Sequence, residues 1–167
     1  TNLSYREWQD GALKAEDFAK RRSSGELIGQ VYTGIQTYSG EWEKVSWNLR
    51  VKRLKSKTVF DPIRSWVRSD SLTDQAVRYG QLIFDATELS RRQMMNHLTS
   101  GPHKPDYHTV VGRYFDMNEA RTDEIERVTE EGKNLAELQL QETIISEELA
   151  KTPEIYGEIP EYTLRKF

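Results

Sequence analysis

The sequence predicts a helix-rich α+β fold in which a β-hairpin packs with long helices and an extended C-terminal arm follows. Three observations carry that expectation. Residues 44–52, KVSWNLRVK, alternate apolar and polar side chains with the period of two that marks a half-buried strand. Residues 70–102 place Tyr79, Leu82, Ile83, Ala86, Leu89, Met94 and Leu98 on one helical stripe, which Gly101 and Pro102 stop. From Pro153 onward, two prolines and a glycine interrupt spaced Ile, Tyr, Leu and Phe, a composition suited to extended chain. Residues 1–152 accordingly read as a single globular domain and 153–167 as an arm.

Taken in order, Ser4 and Glu7 have the spacing of a capping box, which predicts a helix over about 5–22 with Trp8, Ala12, Ala15, Phe18 and Ala19 near one face. Residues 27–38, LIGQVYTGIQTY, are rich in residues that suit a pleated surface, and Ser39-Gly40 is a turn signal before the alternating run. The same region also fits a heptad seam through Ile28, Val31, Ile35, Tyr38, Trp42, Val45 and Leu49. Gly29, Gly34 and Gly40 would each cost a helix about 1 kcal/mol, so the hairpin is preferred. Asp61 and Pro62 have the chemistry of an N-cap and first helical position, predicting a short helix to about Ser69. The central helix follows, then a proline-rich loop. TVVGRYF, residues 109–115, reads equally as a third strand or a helical turn. A long helix is expected over about 117–151, with Ile125, Val128, Leu135, Leu138, Ile145 and Leu149 recurring at helical spacing, Gly132 interrupting, and Glu dominating the other face.

Composition excludes several chemistries. Cysteine is absent, so disulfides, thiolate metal sites and thiol catalysis are excluded, and a reducing, intracellular or virion-associated compartment is favoured. No apolar run approaches the roughly 20 residues of a membrane span, so no transmembrane segment is expected. The net charge of −3 hides a strong asymmetry: residues 50–68 hold seven Lys/Arg against one Asp/Glu, and residues 115–161 hold four against fourteen.

The basic segment, Arg50, Lys52, Arg53, Lys55, Lys57, Arg64 and Arg68, is the first candidate site. With Trp47, Phe60 and Trp66 nearby it has the ingredients of a groove for RNA or single-stranded DNA. It fits equally the Lys-rich edge of a solvated strand, or a contact for the acidic helix of a neighbouring copy. The overall negative charge weighs against a pure polyanion binder. The second candidate is the arm, where Ile155, Tyr156, Ile159, Tyr162, Leu164 and Phe167 carry enough apolar surface to require burial, on their own domain or in a groove of a neighbour. His103 and His108 flank Asp106, with His97 upstream, without the spacing of a metal motif, and Asp85, Glu88, Arg91 and Arg92 have the spacing of surface ion pairs on a helix. No phosphate loop, nucleophile elbow or zinc-helix motif is present, so neither catalytic residues nor a cofactor or metal is expected.

These features point to a non-enzymatic structural subunit of a larger assembly, a self-assembling coat or virion-type protein and a homo-oligomer, possible contact with nucleic acid falling to residues 50–68. The alternatives are an accessory peripheral subunit of a hetero-oligomeric complex, and a small enzyme or regulatory binding domain whose site forms only in three dimensions.

Overall fold

The computed structural model describes residues 4–38, 42–45, 48–99, 107–154 and 159–165. The fold is helix-rich α+β. Strands β1 (Arg6–Glu7), β2 (Lys20–Arg22), β3 (Gly29–Gln30), β4 (Thr33–Tyr38), β5 (Trp42–Val45), β6 (Asn48–Phe60) and β7 (Trp66–Arg68) precede helices α1 (Thr73–Thr99), α2 (Tyr107–Val128) and α3 (Leu135–Lys151), and β8 (Ile159–Arg165) comes last.

The alternating pattern outweighs the heptad seam, and the hairpin is longer than predicted. Pairing steps residue for residue from Thr33 opposite Phe60 to Tyr38 opposite Lys55, and continues in the same register from Trp42 opposite Val51 to Val45 opposite Asn48. β4 and β5 thus pair with β6 in one shared register, which keeps their alternation in phase; the turn predicted at Ser39-Gly40 lies outside the described residues. The N-terminal part of β6 lies between β5 and β8, with Leu49 opposite Leu164 and Val51 opposite Tyr162; Val59 and Phe60 lie between β1 and β4, and residues 55–58 pair with β4 alone among the described residues. A second, three-stranded sheet has the order β2-β7-β3.

The predicted N-terminal helix is replaced by β1, 3-10 turns at Trp8–Asp10 and Ala15–Asp17, and β2. Asp10 and Asp17 accept from the backbone N–H of Glu7 (2.9 Å) and Lys14 (2.7 Å), so the capping bonds form later than Ser4 and each starts only a single 3-10 turn. Gly11 adopts φ 107°, outside the helical region. Leu13 and Phe18 are buried from this irregular path, where Phe18 meets Phe60 edge to face at 5.0 Å.

The helix predicted after Asp61 lasts one turn. Asp61 Oδ1 accepts from the amides of Ile63 and Arg64, and its carbonyl accepts from Ser65, as the capping chemistry requires. Trp66 and Val67 then enter the second sheet as β7, where both are buried. The gain from burying those two side chains outweighs the local preference for helix.

α1 is the axis of the core. One side, Tyr79, Leu82, Ile83, Ala86 and Leu89, packs on Ile125, Leu138 and Ile145 of α2 and α3; another, Ala76 and Phe84, packs on Leu13, Phe18, Ile28, Phe60 and Val67. The helix predicted over 117–151 is two helices, and residues 109–115 belong to the first of them. Glu130 (φ 51°), Glu131 (φ 57°) and Gly132 (φ 86°) are left-handed in succession, which ends α2 and reverses the chain. Gly132 is required there: a Cβ would stand 2.6 Å from Tyr79 Cγ. Asn134 then caps α3 by accepting from the amide of Glu137 at 3.2 Å.

Candidate interaction surface

The predicted basic segment is distributed along β6 and β7 rather than gathered on one patch. Arg50, Lys52 and Arg53 lie in the N-terminal half of β6, their side chains outside the described ones. The register sets Arg50 opposite Glu43 and Thr163, and Lys52 opposite Glu161. Lys55 is exposed opposite Tyr38. Lys57 is 2.8 Å from Glu7 and lies over the Tyr38 ring at 5.1 Å; the hydrogen bond to Glu7, then that to Tyr38, holds its pKa above the ordinary lysine value. Arg64 is exposed and covers the Tyr32 ring at 4.2 Å. Arg68 binds Asp70 at 2.5 Å and donates to the Gly25 carbonyl at 2.6 Å. Much of this positive charge thus has a partner in its own chain.

Lys55 and Lys57 fall where β6 has β4 as its only described partner, so that stretch keeps the character of a Lys-bearing edge. A second basic edge is β2, whose Lys20, Arg21 and Arg22 are all exposed and which pairs only with β7 among the described residues, Arg22 lying over the Trp66 ring at 4.2 Å. This is the usual protection of an edge strand by charge. The run was hidden in the sequence because it falls inside the segment whose capping box predicted a helix.

The arm is extended, and β8 pairs antiparallel with β6 of the same chain. Ile159, Tyr162 and Leu164 belong to that strand, while Ile155, Tyr156 and Phe167 lie outside the described residues. Of the histidines, His97 Nδ1 is 3.1 Å from Tyr114 Oη, beside an open cleft of about 620 Å³ between the helices that Gln93, Asn96 and Lys151 also line. His108 is exposed, and His103 and Asp106 lie outside the described residues. Among the described residues no three His, Asp or Glu side chains are grouped to hold a metal ion, and no helix is long and apolar enough to cross a membrane.

The helix charges expected at the surface are buried. Glu88 and Arg91 have side chains 1% and 2% exposed, and Arg92 and Glu154 only 11% and 13%. Arg91 Nε is 2.7 Å from Glu88 Oε1, and its Nη2 is 2.8 Å from Glu88 Oε2 and 2.5 Å from Glu154 Oε1. Arg92 Nε is 3.2 Å from Glu88 Oε2 and 2.7 Å from Glu154 Oε2. Two carboxylates and two guanidiniums form a neutral quartet. Thr58 of β6 donates to Glu88 at 3.0 Å, and Arg91 donates to Ser56 at 3.3 Å, so the quartet joins α1, the hairpin and the root of the arm. Helical spacing showed Glu88 beside the arginines but not that the hairpin and Glu154 cover them.

Electrostatics divides the two acids. Burial pushes Glu88 up, but hydrogen bonds and charge from Arg91, with Glu154 and Thr58, hold it below the ordinary range. Burial pushes Glu154 up, and the charge of Glu88 adds to that against Arg91, leaving it raised. Nearby, Asp85 accepts from Trp8 Nε1 at 2.9 Å and Gln81 at 2.7 Å; burial keeps its pKa high. Titratable groups this buried are a catalytic signature only when they face a cleft. Here each is engaged by neighbouring elements, as in a structural clamp.

What remains as a surface is the three-stranded ribbon β5-β6-β8. Among the described residues, β5 and β8 pair with no strand but β6, leaving their outer edges open. Comparison of the chain with models of protein families, with curated proteins and with solved structures gives no match.

Proposed function

We propose that the chain is a non-enzymatic structural subunit of a self-assembling, coat- or virion-type assembly, and that the β5-β6-β8 ribbon is its contact with the next copy. The observation that carries this reading is the pair of open strand edges on the ribbon, since such edges are templates for pairing with another chain. The segregation of charge supports it: the basic residues of the hairpin and β2 offer a counterpart to the acidic outer face of α2, with Asp116, Glu119, Asp123, Glu124 and Glu126 exposed. The arm adds a route to exchange, because a terminal strand that pairs with its own β6 pairs equally well with the β6 of a neighbour.

Native mass measurement at low and high ionic strength tests the proposal. It expects an oligomer that weakens as salt rises, and a variant lacking residues 158–167 that keeps its helices by circular dichroism but loses assembly. A strict monomer at high concentration in low salt overturns it. Retention on single-stranded RNA, lost with salt, would assign residues 50–68 and β2 to nucleic acid instead of a neighbouring copy.

A further inference from the structure

The outer face of the β2-β7-β3 sheet carries cations that the described chain leaves without an acidic partner. Lys20 and Gln30 both stand beside Trp66 in the register, and Trp66 Nε1 donates to Gln30 Oε1 at 3.0 Å, so the three share one face. Arg22, two residues beyond Lys20, reaches over the Trp66 ring at 4.2 Å from the same side. The other face is core, with Val67 fully buried. Lys20, Arg21 and Arg22 are exposed and form no ion pair among the described residues. Arg64, in the turn before β7, is exposed over the Tyr32 ring at 4.2 Å.

Protecting an edge strand needs only charge, and lysine would serve. Here two guanidiniums are held against rings, and one of them lies outside any strand. Neither Arg22 nor Arg64 donates a side-chain hydrogen bond among the described residues, whereas Arg68, Arg78 and Arg127 each bind a carboxylate. A ring contact positions a guanidinium and leaves its N–H edge free for a two-point bond to an oxyanion.

The surroundings define the anion. Trp66 is 3% exposed beneath Arg22 and Tyr32 is half-buried beneath Arg64, so apart from Ile63 the face offers cations rather than the apolar anchor of a protein interface. Polar, strongly positive surface is the character of a nucleic-acid interface. The covered rings leave no bare platform for a base, so phosphates are the groups contacted. Glu126 and Glu131 stand beyond β3, beside Gln30 and Tyr32, which confines an anion to β2 and the Arg64 turn. That path bends from an edge strand onto a turn, and a flexible single strand follows it more readily than a duplex.

We propose that β2 and the Arg64 turn bind the phosphate backbone of single-stranded nucleic acid without regard to sequence, Arg22 and Arg64 making two-point contacts and Lys20 and Arg21 adding charge. Copies then meet through the ribbon edges without β2, so this proposal and the assembly reading fail separately. Fluorescence anisotropy of labelled oligo-U and oligo-dT with the full chain, across a salt series, tests it. Both should bind, with log affinity falling against log salt at a slope of about −3, from about 0.7 for each of four phosphates. Arg22→Gln and Arg64→Gln, at exposed positions, should each flatten the slope by about 0.7. Arg22→Lys should keep the slope and still weaken binding, because an ammonium lacks the fork. Arg127→Gln, whose cation already binds Glu124, should change neither. No binding at low salt, an unchanged slope in both Gln variants, tighter binding of a duplex, or equal binding of polyglutamate would each overturn the proposal.

Discussion

Replacing Glu88 by Gln should destabilise this protein far more than its place in a run of helix charges suggests. The substitution keeps the shape of the side chain and removes one charge from a neutral, buried quartet. Glu88 lies 2.7 Å from Arg91 Nε and 3.2 Å from Arg92 Nε, opposes the charge of Glu154, and is held below the ordinary carboxylate range. With an effective dielectric near 20, each attraction at about 4 Å between charge centres is worth about 4 kcal/mol, and so is the repulsion. Two attractions less one repulsion leave about 4 kcal/mol, within the roughly 3–5 kcal/mol lost when one partner of a buried pair is removed. For a chain of this size each kcal/mol moves Tm by roughly 2–4 °C, so the variant should melt roughly 6–20 °C below the parent.

Thermal unfolding followed by far-UV circular dichroism measures the shift. Arg91→Met supplies the control. Alone it strands two carboxylates beside one guanidinium; combined with Glu154→Leu it leaves the neutral pair Glu88 and Arg92. The double variant should therefore be more stable than the sum of the single losses predicts, with a coupling of roughly 1–3 kcal/mol. A Glu88→Gln protein melting within about 2 °C of the parent, or strictly additive losses, would refute the reasoning, because the charges of the quartet would then not hold α1 to its neighbours.

Gly132→Ala should lose roughly 2–5 kcal/mol, from a left-handed backbone and a Cβ placed 2.6 Å from Tyr79 Cγ, read as a lower denaturant midpoint at unchanged slope. Asp85→Asn keeps an oxygen that accepts from Trp8 and Gln81 while removing a charge that burial disfavours. A carboxyl whose folded pKa is raised contributes stability below its unfolded pKa and loses it as pH rises through the folded value. The variant should thus equal or exceed the parent at neutral pH, with its advantage shrinking towards about pH 4; a Tm profile with the opposite trend would contradict this. Lys57→Met removes a half-exposed ion pair with Glu7 and should cost less than about 1 kcal/mol in the same melting assay, a contrast that separates surface pairs from the buried quartet.

The parts legible in the sequence are those whose pattern is local and repeated. The stripe from Tyr79 to Leu98 specifies α1 because its period matches the helix and Gly101 and Pro102 end it. The alternation around Leu49 and Val51 identifies β6 for the same reason. What misled was chemistry that serves two structures. Ser4 and Glu7 are spaced as a capping box, but the boxes that form are Glu7 with Asp10 and Lys14 with Asp17, each opening one 3-10 turn, and Trp8, Leu13 and Phe18 reach the core without helical spacing. The common register of β4 and β5 is set by partners many residues away on β6, which no local pattern encodes. The burial of Glu88 and Arg91 was equally invisible, because it is made by Thr58 and Glu154, which no spacing on α1 encodes.

Charge links these findings. The excess of cations in residues 50–68 and of anions in residues 115–161 suggested two surfaces awaiting opposite partners, but the fold neutralises part of each internally. Lys52 stands opposite Glu161 in the ribbon, Lys57 meets Glu7, Arg68 meets Asp70, and Glu154 is consumed by two arginines. The acidic excess that remains sits on α2 and the turn after it, where Glu126 is raised by burial and by its acidic neighbours rather than lowered by a cation. An unbalanced anionic face of this kind raises the energy of the isolated chain, and any cation that reaches it recovers that energy. A basic ribbon from another copy would draw on that charge. Added spermidine, a competing cation, should then weaken salt-sensitive self-association, and leave it untouched if the copies meet through strand edges alone.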